Sequence, residues 1–263
     1  MSFPRPRKRF GQHFLHDPGV IRRIVDAVAA APTVRVVEIG PGRGALTGPL
    51  LERLGALDAV EIDRDLVAAL AQRFAHQSRF QLHSGDVLAF DFCALAAGTP
   101  LRLVGNLPYN ISTPLLFHLY AQAHCIETMV FMVQKEVAER LAATPGGKDY
   151  GRLSVMIQWR FDVAKLFDVG PGAFQPPPQV DSTVVRLTPC PPRMKLHDAE
   201  RFARVVKAAF AQRRKTLRNA LRDTVDMPAF ERAGVDPARR AETLSPLEFA
   251  ILANSCTESP HDD

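Results

Sequence analysis

From residue 34 to residue 133 the chain alternates short, nearly unbroken runs of aliphatic and β-branched side chains with longer stretches of helical period. The runs at 34–39, 57–62, 80–83, 101–105 and 128–133 predict five strands, and the amphipathic stretches at 45–54 and 64–75 predict helices between them. Runs without polar alternation suit strands covered on both faces, so the pattern predicts a parallel, doubly wound α/β sheet. Asp17-Pro18 supplies a cap and a first-turn residue for a helix reaching about residue 30. Asp63 can cap the helix after the second strand. Ser112 or Thr113, with Pro114 next, can start one after the fourth.

Further on the pattern changes. Helices at 135–143 and 153–159 flank a polar loop, Pro145-Gly146-Gly147-Lys148, and strand-like runs follow at 163–169 and 183–187. Between those runs lies Phe174-Gln175-Pro176-Pro177-Pro178-Gln179-Val180, too rich in proline for either element. Pro189-Cys190-Pro191-Pro192-Arg193 reads as a linker, and from about Leu196 the period is helical to Ala253. A break is expected near Ala211-Gln212, because Arg213 falls within the apolar stripe of Phe202, Val206, Phe210, Leu217 and Leu221. The predicted organisation is a domain at 1–188 with a basic N-terminal arm, a small all-helical domain at 196–255, and a frayed tail at 256–263.

Composition sets bounds. With 263 residues, 46 % of them apolar, the chain can bury the cores of one large and one small domain. No run approaches the roughly 18 apolar residues of a membrane span. No apolar stretch follows the basic N-terminus either, so a cytoplasmic protein with no membrane partner is expected. Cys93, Cys125, Cys190 and Cys256 stand far apart with no C-x-x-C pair, which suits a reducing compartment and predicts no metal site.

The net charge of +5 matters less than its distribution. Arg5, Arg7, Lys8 and Arg9 crowd the first ten residues without an acid. Arg201, Arg204, Lys207, Arg213, Arg214, Lys215, Arg218 and Arg222 occupy residues 201–222, again without an acid. Elsewhere acids outnumber bases. Two concentrated basic segments on an otherwise acidic chain point to a polyanion, and nucleic acid is favoured over a merely solvated helix and tail.

The strand at 101–105 runs into Asn106-Leu107-Pro108-Tyr109, at the carboxyl edge where open α/β sheets bind ligands. An amide, a rigid turn and a phenol ring make a clamp for an amino group; the plainer reading is a tight turn with a core tyrosine. Gly40-Pro41-Gly42-Arg43-Gly44 joins the first strand to its helix, and glycine lets backbone approach a ligand without a Cβ between them. Glu61, 21 residues beyond Gly40, suits a ribose diol. With Ala45 the loop also fits the dinucleotide fingerprint, so a nicotinamide oxidoreductase stays open at this point. Three details favour S-adenosylmethionine. Glu38 precedes the loop to give E-x-G-x-G-x-G, Asp86 closes the third strand where it can accept from an adenine amine, and the clamp has no proton-relay histidine beside it. His118 reads as packing.

Gly11-Gln12-His13-Phe14-Leu15, Glu38 to Gly44, Glu61-Ile62-Asp63, Gly85-Asp86, Gly105 to Tyr109, Phe174 to Ser182 and Arg213 to Asn219 follow one another in this order. Together they resemble the ribosomal RNA adenine dimethyltransferases, and among them the small-subunit enzymes known for kasugamycin resistance. The likeness runs from Gly11 to about Leu252. Many methyltransferases share the glycine loop, whereas the clamp with the proline-rich segment is more specific. The resemblance implies a Rossmann-like, seven-stranded sheet with one antiparallel strand and a small helical C-terminal domain. It implies S-adenosyl-L-methionine as cofactor, contacted by His13, Leu15, Gly40, Gly42, Glu61, Asp86 and Asn106, and no metal. His13 is a departure, since the family often has asparagine there.

The resemblance also implies a monomer whose partner is small-subunit rRNA within the small ribosomal subunit. Its product would be the N6,N6-dimethylated form of two adjacent adenosines in a loop near the 3′ end of 16S rRNA, with a role in subunit biogenesis. In that chemistry the Asn106 side-chain carbonyl and the Leu107 backbone carbonyl each accept one N–H of the adenine amine. Pro108 fixes the turn, and Tyr109 and Phe174 sandwich the base, each face worth about 1–3 kcal/mol. A base that must leave its stack favours a loop nucleotide. The arm residues Arg5, Arg7, Lys8 and Arg9, with Arg214, Lys215, Arg218 and Arg222, would hold phosphates. Alternatives are a large-subunit dimethyltransferase of the macrolide-resistance type and an RNA-binding assembly factor in which catalysis is incidental. Leu107-Pro108 argues against a DNA adenine methyltransferase.

Overall fold

The computed structural model describes residues 12–28, 34–191 and 193–256. Arg5, Arg7, Lys8 and Arg9 and most of the expected tail lie outside the described residues. In chain order the first elements are β1 (Phe14–Leu15), α1 (Pro18–Val28), β2 (Val36–Ile39), α2 (Thr47–Leu54), β3 (Leu57–Glu61) and α3 (Arg64–Arg73). Then come β4 (Phe80–Ser84), α4 (Phe92–Ala96), β5 (Leu101–Asn106), α5 (Ser112–Ala121), β6 (Ile126–Gln134) and α6 (Lys135–Ala142). They are followed by α7 (Arg152–Arg160), β7 (Phe161–Val169), β8 (Phe174–Gln175) and β9 (Ser182–Pro189). The remainder is helical: α8 (Ala199–Ala211), α9 (Leu217–Ala220), α10 (Met227–Ala233) and α11 (Pro246–Asn254).

Seven strands form one sheet in the order β4-β3-β2-β5-β6-β9-β7. The five predicted strands are its parallel part, and β9 runs antiparallel to β6. Every residue of β2 and β3 is buried, which is why their sequences read as unbroken apolar runs. The chain reverses between β3 and β5 on either side of β2, so the carboxyl ends of β2, β3 and β5 surround a topological switch point. The predicted caps are partly realised. Asp17 accepts from Val20 N–H and Asp63 from Asp65 N–H, at 2.8 and 3.1 Å. Ser112 does not cap α5 but donates from its hydroxyl to the Tyr109 carbonyl at 3.2 Å.

Two compact units emerge: one from the chain up to Ala138 together with Asp162–Pro189, the other from Glu139–Phe161 and the chain from Cys190 onward. The sequence reading counted residues 139–161 with the first domain. Their side chains belong elsewhere: Trp159 lies 5.2 Å from the Phe202 ring, and Tyr150 lies 6.2 Å from Phe210 and donates to the Leu244 carbonyl at 2.8 Å. The second unit breaks its helices as expected after Ala211, and again before α10 and α11. Phe202, Val206, Leu217 and Leu221 are buried, so the apolar stripe is its core.

Two further features depart from the sequence reading. Phe174 and Gln175, expected to have no regular structure, pair antiparallel with β1, Leu15 opposite Phe174. Cys93 and Cys125, expected to stand apart, are joined as a disulfide.

Candidate active site

A pocket opens at the carboxyl ends of β2, β3 and β5. It is lined by Gly40–Arg43 after β2, Glu61 and Ile62 at the end of β3, Gly85–Leu88 after β4 and Asn106–Ile111 from the end of β5 onward, with residues 12–15 as a further wall. Residues distant in sequence meet there because parallel strands end on one edge.

The glycine loop makes its wall from backbone. Gly42 takes a left-handed conformation at φ +59°, and a Cβ there would lie 3.2 Å from the Phe14 ring. Arg43 stacks its guanidinium 4.3 Å from the centre of that same ring. Glu61 is buried and accepts from the backbone N–H groups of Gly42 (3.2 Å), Ile62 (3.0 Å) and Asp63 (3.0 Å). Burial pushes its carboxyl above the usual range while those three donors pull it back. Behind it, Glu38 is fully enclosed and accepts the Thr47 hydroxyl at 2.6 Å. Burial drives its carboxyl up to about 8, the Thr47 bond opposing and the Glu61 charge adding. Asp86 caps its own turn by accepting from Leu88 N–H at 2.9 Å and is exposed at the pocket.

The clamp is held on every side. Leu107 is buried and its N–H donates to the Met132 carbonyl on β6 at 3.0 Å. The Tyr109 hydroxyl shares a 2.7 Å hydrogen bond with Ser182 at the start of β9. Burial raises the phenol's pKa, the Ser182 bond lowers it and the Asp181 charge raises it again, so the ring serves as a neutral face. Asn106 donates its side-chain N–H₂ to the backbone carbonyl of His13 at 2.9 Å. The opposite amide orientation would set oxygen against oxygen, so Oδ1 is the group left as an acceptor. Immediately before it, Gly105 has no room for a side chain: a Cβ would lie 2.5 Å from the Ile39 carbonyl oxygen.

The structure gathers His13, Leu15, Gly40, Gly42, Glu61, Asp86, Asn106, Leu107, Pro108 and Tyr109 around this pocket. His13 reaches it in an unexpected way. Its ring nitrogen Nδ1 lies 2.9 Å from the Pro176 carbonyl and its ring stacks beside Tyr109 at 5.6 Å, so it joins the clamp to the proline-rich segment. Phe174 is not brought to the pocket. Its ring is 2 % exposed in the core with Leu15, Ile24 and Val28, because the β1–β8 pairing turns it inward. His118 bonds the Phe90 carbonyl at 2.8 Å, away from the pocket, as its packing reading requires. Ser182 and Gly105 stand in the segments that carry the resemblance, but neither has a role of its own legible in the sequence; a glycine at a strand end shows only that backbone can approach closely there. Arg214, Lys215, Arg218 and Arg222 are exposed, on or beside α9.

The profile of one family, described as ribosomal RNA adenine dimethylase, matches residues 4–258. The chain belongs to the ribosomal RNA adenine dimethylase family. It is 55 % identical over 255 residues to the ribosomal RNA small subunit methyltransferase A of Aromatoleum aromaticum, covering 97 % of this chain and 95 % of that protein. To the enzyme of the same name from Pseudomonas aeruginosa it is 56 % identical over 258 residues, with 97 % and 96 % covered. Among solved structures, a dimethyladenosine transferase from Plasmodium falciparum superimposes with a TM-score of 0.77 at 26 % identity, covering 91 % of this chain and 96 % of that one. The 23S rRNA methyltransferase ErmE does so with 0.70 at 27 % identity, covering 92 % and 99 %. The chain is therefore an S-adenosylmethionine-dependent methyltransferase with a Rossmann-like sheet. The pocket fits that cofactor: a buried carboxylate at the end of β3 suits a diol, side-chain-free backbone lies beside it, and an exposed carboxylate follows β4.

Proposed function

We propose that this chain dimethylates the N6 amines of two adjacent adenosines in a loop near the 3′ end of small-subunit rRNA, as a step in small-subunit biogenesis. It would act as a monomer in the cytoplasm on rRNA within the small ribosomal subunit. The observation that carries this reading is the fixed amide of Asn106, whose nitrogen is committed to His13 and whose oxygen remains to accept an N–H. The high identity to proteins named for the small subunit, against 27 % to ErmE, favours the small-subunit substrate over the large.

In this reading Glu61 would hold the ribose hydroxyls of the cofactor, Asp86 its adenine amine, and the Gly40–Gly42 backbone its amino-acid end, with His13 and Leu15 as a further wall. The bound cofactor supplies a sulfonium-activated methyl group, so no residue need act as a covalent nucleophile. An adenine N6 lone pair is delocalised into the ring and is a weak nucleophile. Asn106 Oδ1 and the Leu107 carbonyl accept its two N–H groups, favour a pyramidal nitrogen and turn the lone pair toward the methyl. Orientation of this kind lowers a barrier by roughly 7–11 kcal/mol in favourable cases. Pro108 stiffens the turn, Tyr109 stacks on the base, and the product ammonium releases its proton to solvent. The exposed Arg214, Lys215, Arg218 and Arg222 hold phosphates without reading sequence.

The deciding experiment incubates unmodified small ribosomal subunits with the protein and methyl-labelled cofactor, then locates the label by mass analysis of rRNA fragments. Four methyl groups on one adjacent adenosine pair are expected. Label elsewhere in the small-subunit rRNA, transfer only to separately supplied large-subunit RNA, or no label at all with the cofactor bound would overturn the proposal.

A further inference from the structure

Cys93 and Cys125 are 32 residues apart in sequence, on α4 and on the short turn Ala123–Cys125 after α5, yet their sulfurs are bonded. His124 adds a third donor: one imidazole nitrogen and the two sulfurs all lie within 4.8 Å of one another. The sulfur bond is not what alone brings them together. The Gln122 side-chain oxygen accepts from the backbone N–H groups of Phe92 (2.7 Å) and Cys93 (3.2 Å), and its amide nitrogen donates to the Phe90 carbonyl at 3.1 Å. Its own backbone carbonyl oxygen lies 3.7 Å from Cys93 Sγ and 3.1 Å from Cys125 Sγ. The start of α4 is thus fastened to the turn carrying Cys125 by bonds that survive reduction of the sulfurs. Cys125 is buried, Cys93 is partly buried and His124 is exposed, so the protein holds the sulfurs while the imidazole side meets water.

Two thiolates and an imidazole, with a fourth position open to water, form a donor set for zinc and not for magnesium or calcium. Tetrahedral ligation at Zn–S bonds of about 2.3 Å needs the sulfurs about 3.8 Å apart, so the ion and the disulfide exclude each other. We propose that Cys93, His124 and Cys125 form a redox-gated site for a zinc-class divalent cation. In the reduced protein the two thiols lose their protons and bind the cation with His124. Hydrogen peroxide withdraws two electrons from the sulfur pair: the S–S bond forms, both S–metal bonds break and the cation leaves. The peroxide takes up those electrons and two protons and becomes two waters. A dithiol reductant returns two electrons to the sulfurs and closes to its own disulfide. None of the three residues lines the methyl-transfer pocket, so the site stands or falls separately from the proposed function.

The test uses the full chain with Cys190→Ser and Cys256→Ser to silence the remaining thiols. The protein is reduced with a phosphine, which is then removed, and is titrated with zinc and cobalt(II). About one equivalent of zinc should survive gel filtration, and cobalt should show thiolate charge-transfer absorption. Hydrogen peroxide should abolish both, and dithiothreitol should restore them. Cys93→Ser or Cys125→Ser should remove the charge-transfer band. His124 is exposed, so His124→Ala should keep the unfolding midpoint and weaken zinc affinity at least about tenfold. A reduced chain that retains no zinc, an oxidised chain that retains it, or a His124→Ala variant that binds equally well would each overturn the proposal.

Discussion

The side-chain nitrogen of Asn106 and the backbone carbonyl oxygen of His13 are 2.9 Å apart, and this contact decides which end of the amide faces the pocket. Asn106→Asp keeps the shape and removes the donor, setting a carboxylate oxygen against a carbonyl. Methyl transfer should fall about 100-fold or more, as expected when a reacting group is misplaced by an ångström. Single-turnover incorporation of labelled methyl checks it; a variant that transfers at the wild-type rate would show that the contact does not orient the amide.

Phe174 and Tyr109 should separate by what their loss damages. Phe174 is buried, so Phe174→Ala should cost roughly 3–5 kcal/mol of stability in denaturant titration. Tyr109→Ala should mainly weaken RNA engagement, by about 1–3 kcal/mol in binding. If Phe174→Ala left the unfolding midpoint in place and lowered only RNA affinity, the ring would be a stacking face after all.

Gly105→Ala would put a carbon 2.5 Å from the Ile39 carbonyl oxygen, a main-chain atom that cannot swing aside. The strand end must move, and the rate should drop by at least about tenfold with cofactor affinity less affected. Equilibrium dialysis with labelled cofactor alongside single-turnover rates distinguishes the two; an unchanged rate would mean the strand end tolerates displacement.

Glu38 makes stability fall with rising pH. Burial lifts its carboxyl from 4.5 to about 8. A raised acid contributes nothing adverse below its unfolded pKa, where both states are protonated. Above it folding must take up a proton, and stability falls by up to about 1.4 kcal/mol per pH unit until the folded group ionises near pH 8. Glu38→Gln should flatten stability between pH 5 and pH 8, as read by urea midpoints. A wild-type curve already flat there would contradict the assignment.

Arg214→Ala and Lys215→Ala should weaken RNA binding uniformly across sequences. Each should lower the slope of log affinity against log salt by about one. A slope that does not change would place both residues away from phosphate.

How much of this was legible in the chain depended on whether the signal was local. The five parallel strands were legible because burial on both faces leaves an unbroken apolar run, as in β2 and β3. The pocket edge was legible too, since Gly40, Glu61, Asp86 and Asn106 each close a predicted strand or follow one. What was hidden came from pairings that sequence distance conceals. Phe174 reads as a free aromatic beside prolines until Leu15, far away, is placed opposite it. Residues 139–161 continue the first domain along the chain, but Trp159 finds its apolar partner in Phe202. Cys93 and Cys125 show no paired spacing, since Gln122 supplies the tether that joins their segments.

The fit of Gly105 against Ile39 also limits what an inventory of functional groups can reveal. Any side chain at Gly105 would press against the Ile39 carbonyl, and the strand end that carries Asn106 keeps its place only because none is there. A single added methyl could therefore silence the enzyme while leaving every polar atom of its chemistry intact, a loss visible only to someone measuring ångströms of main chain.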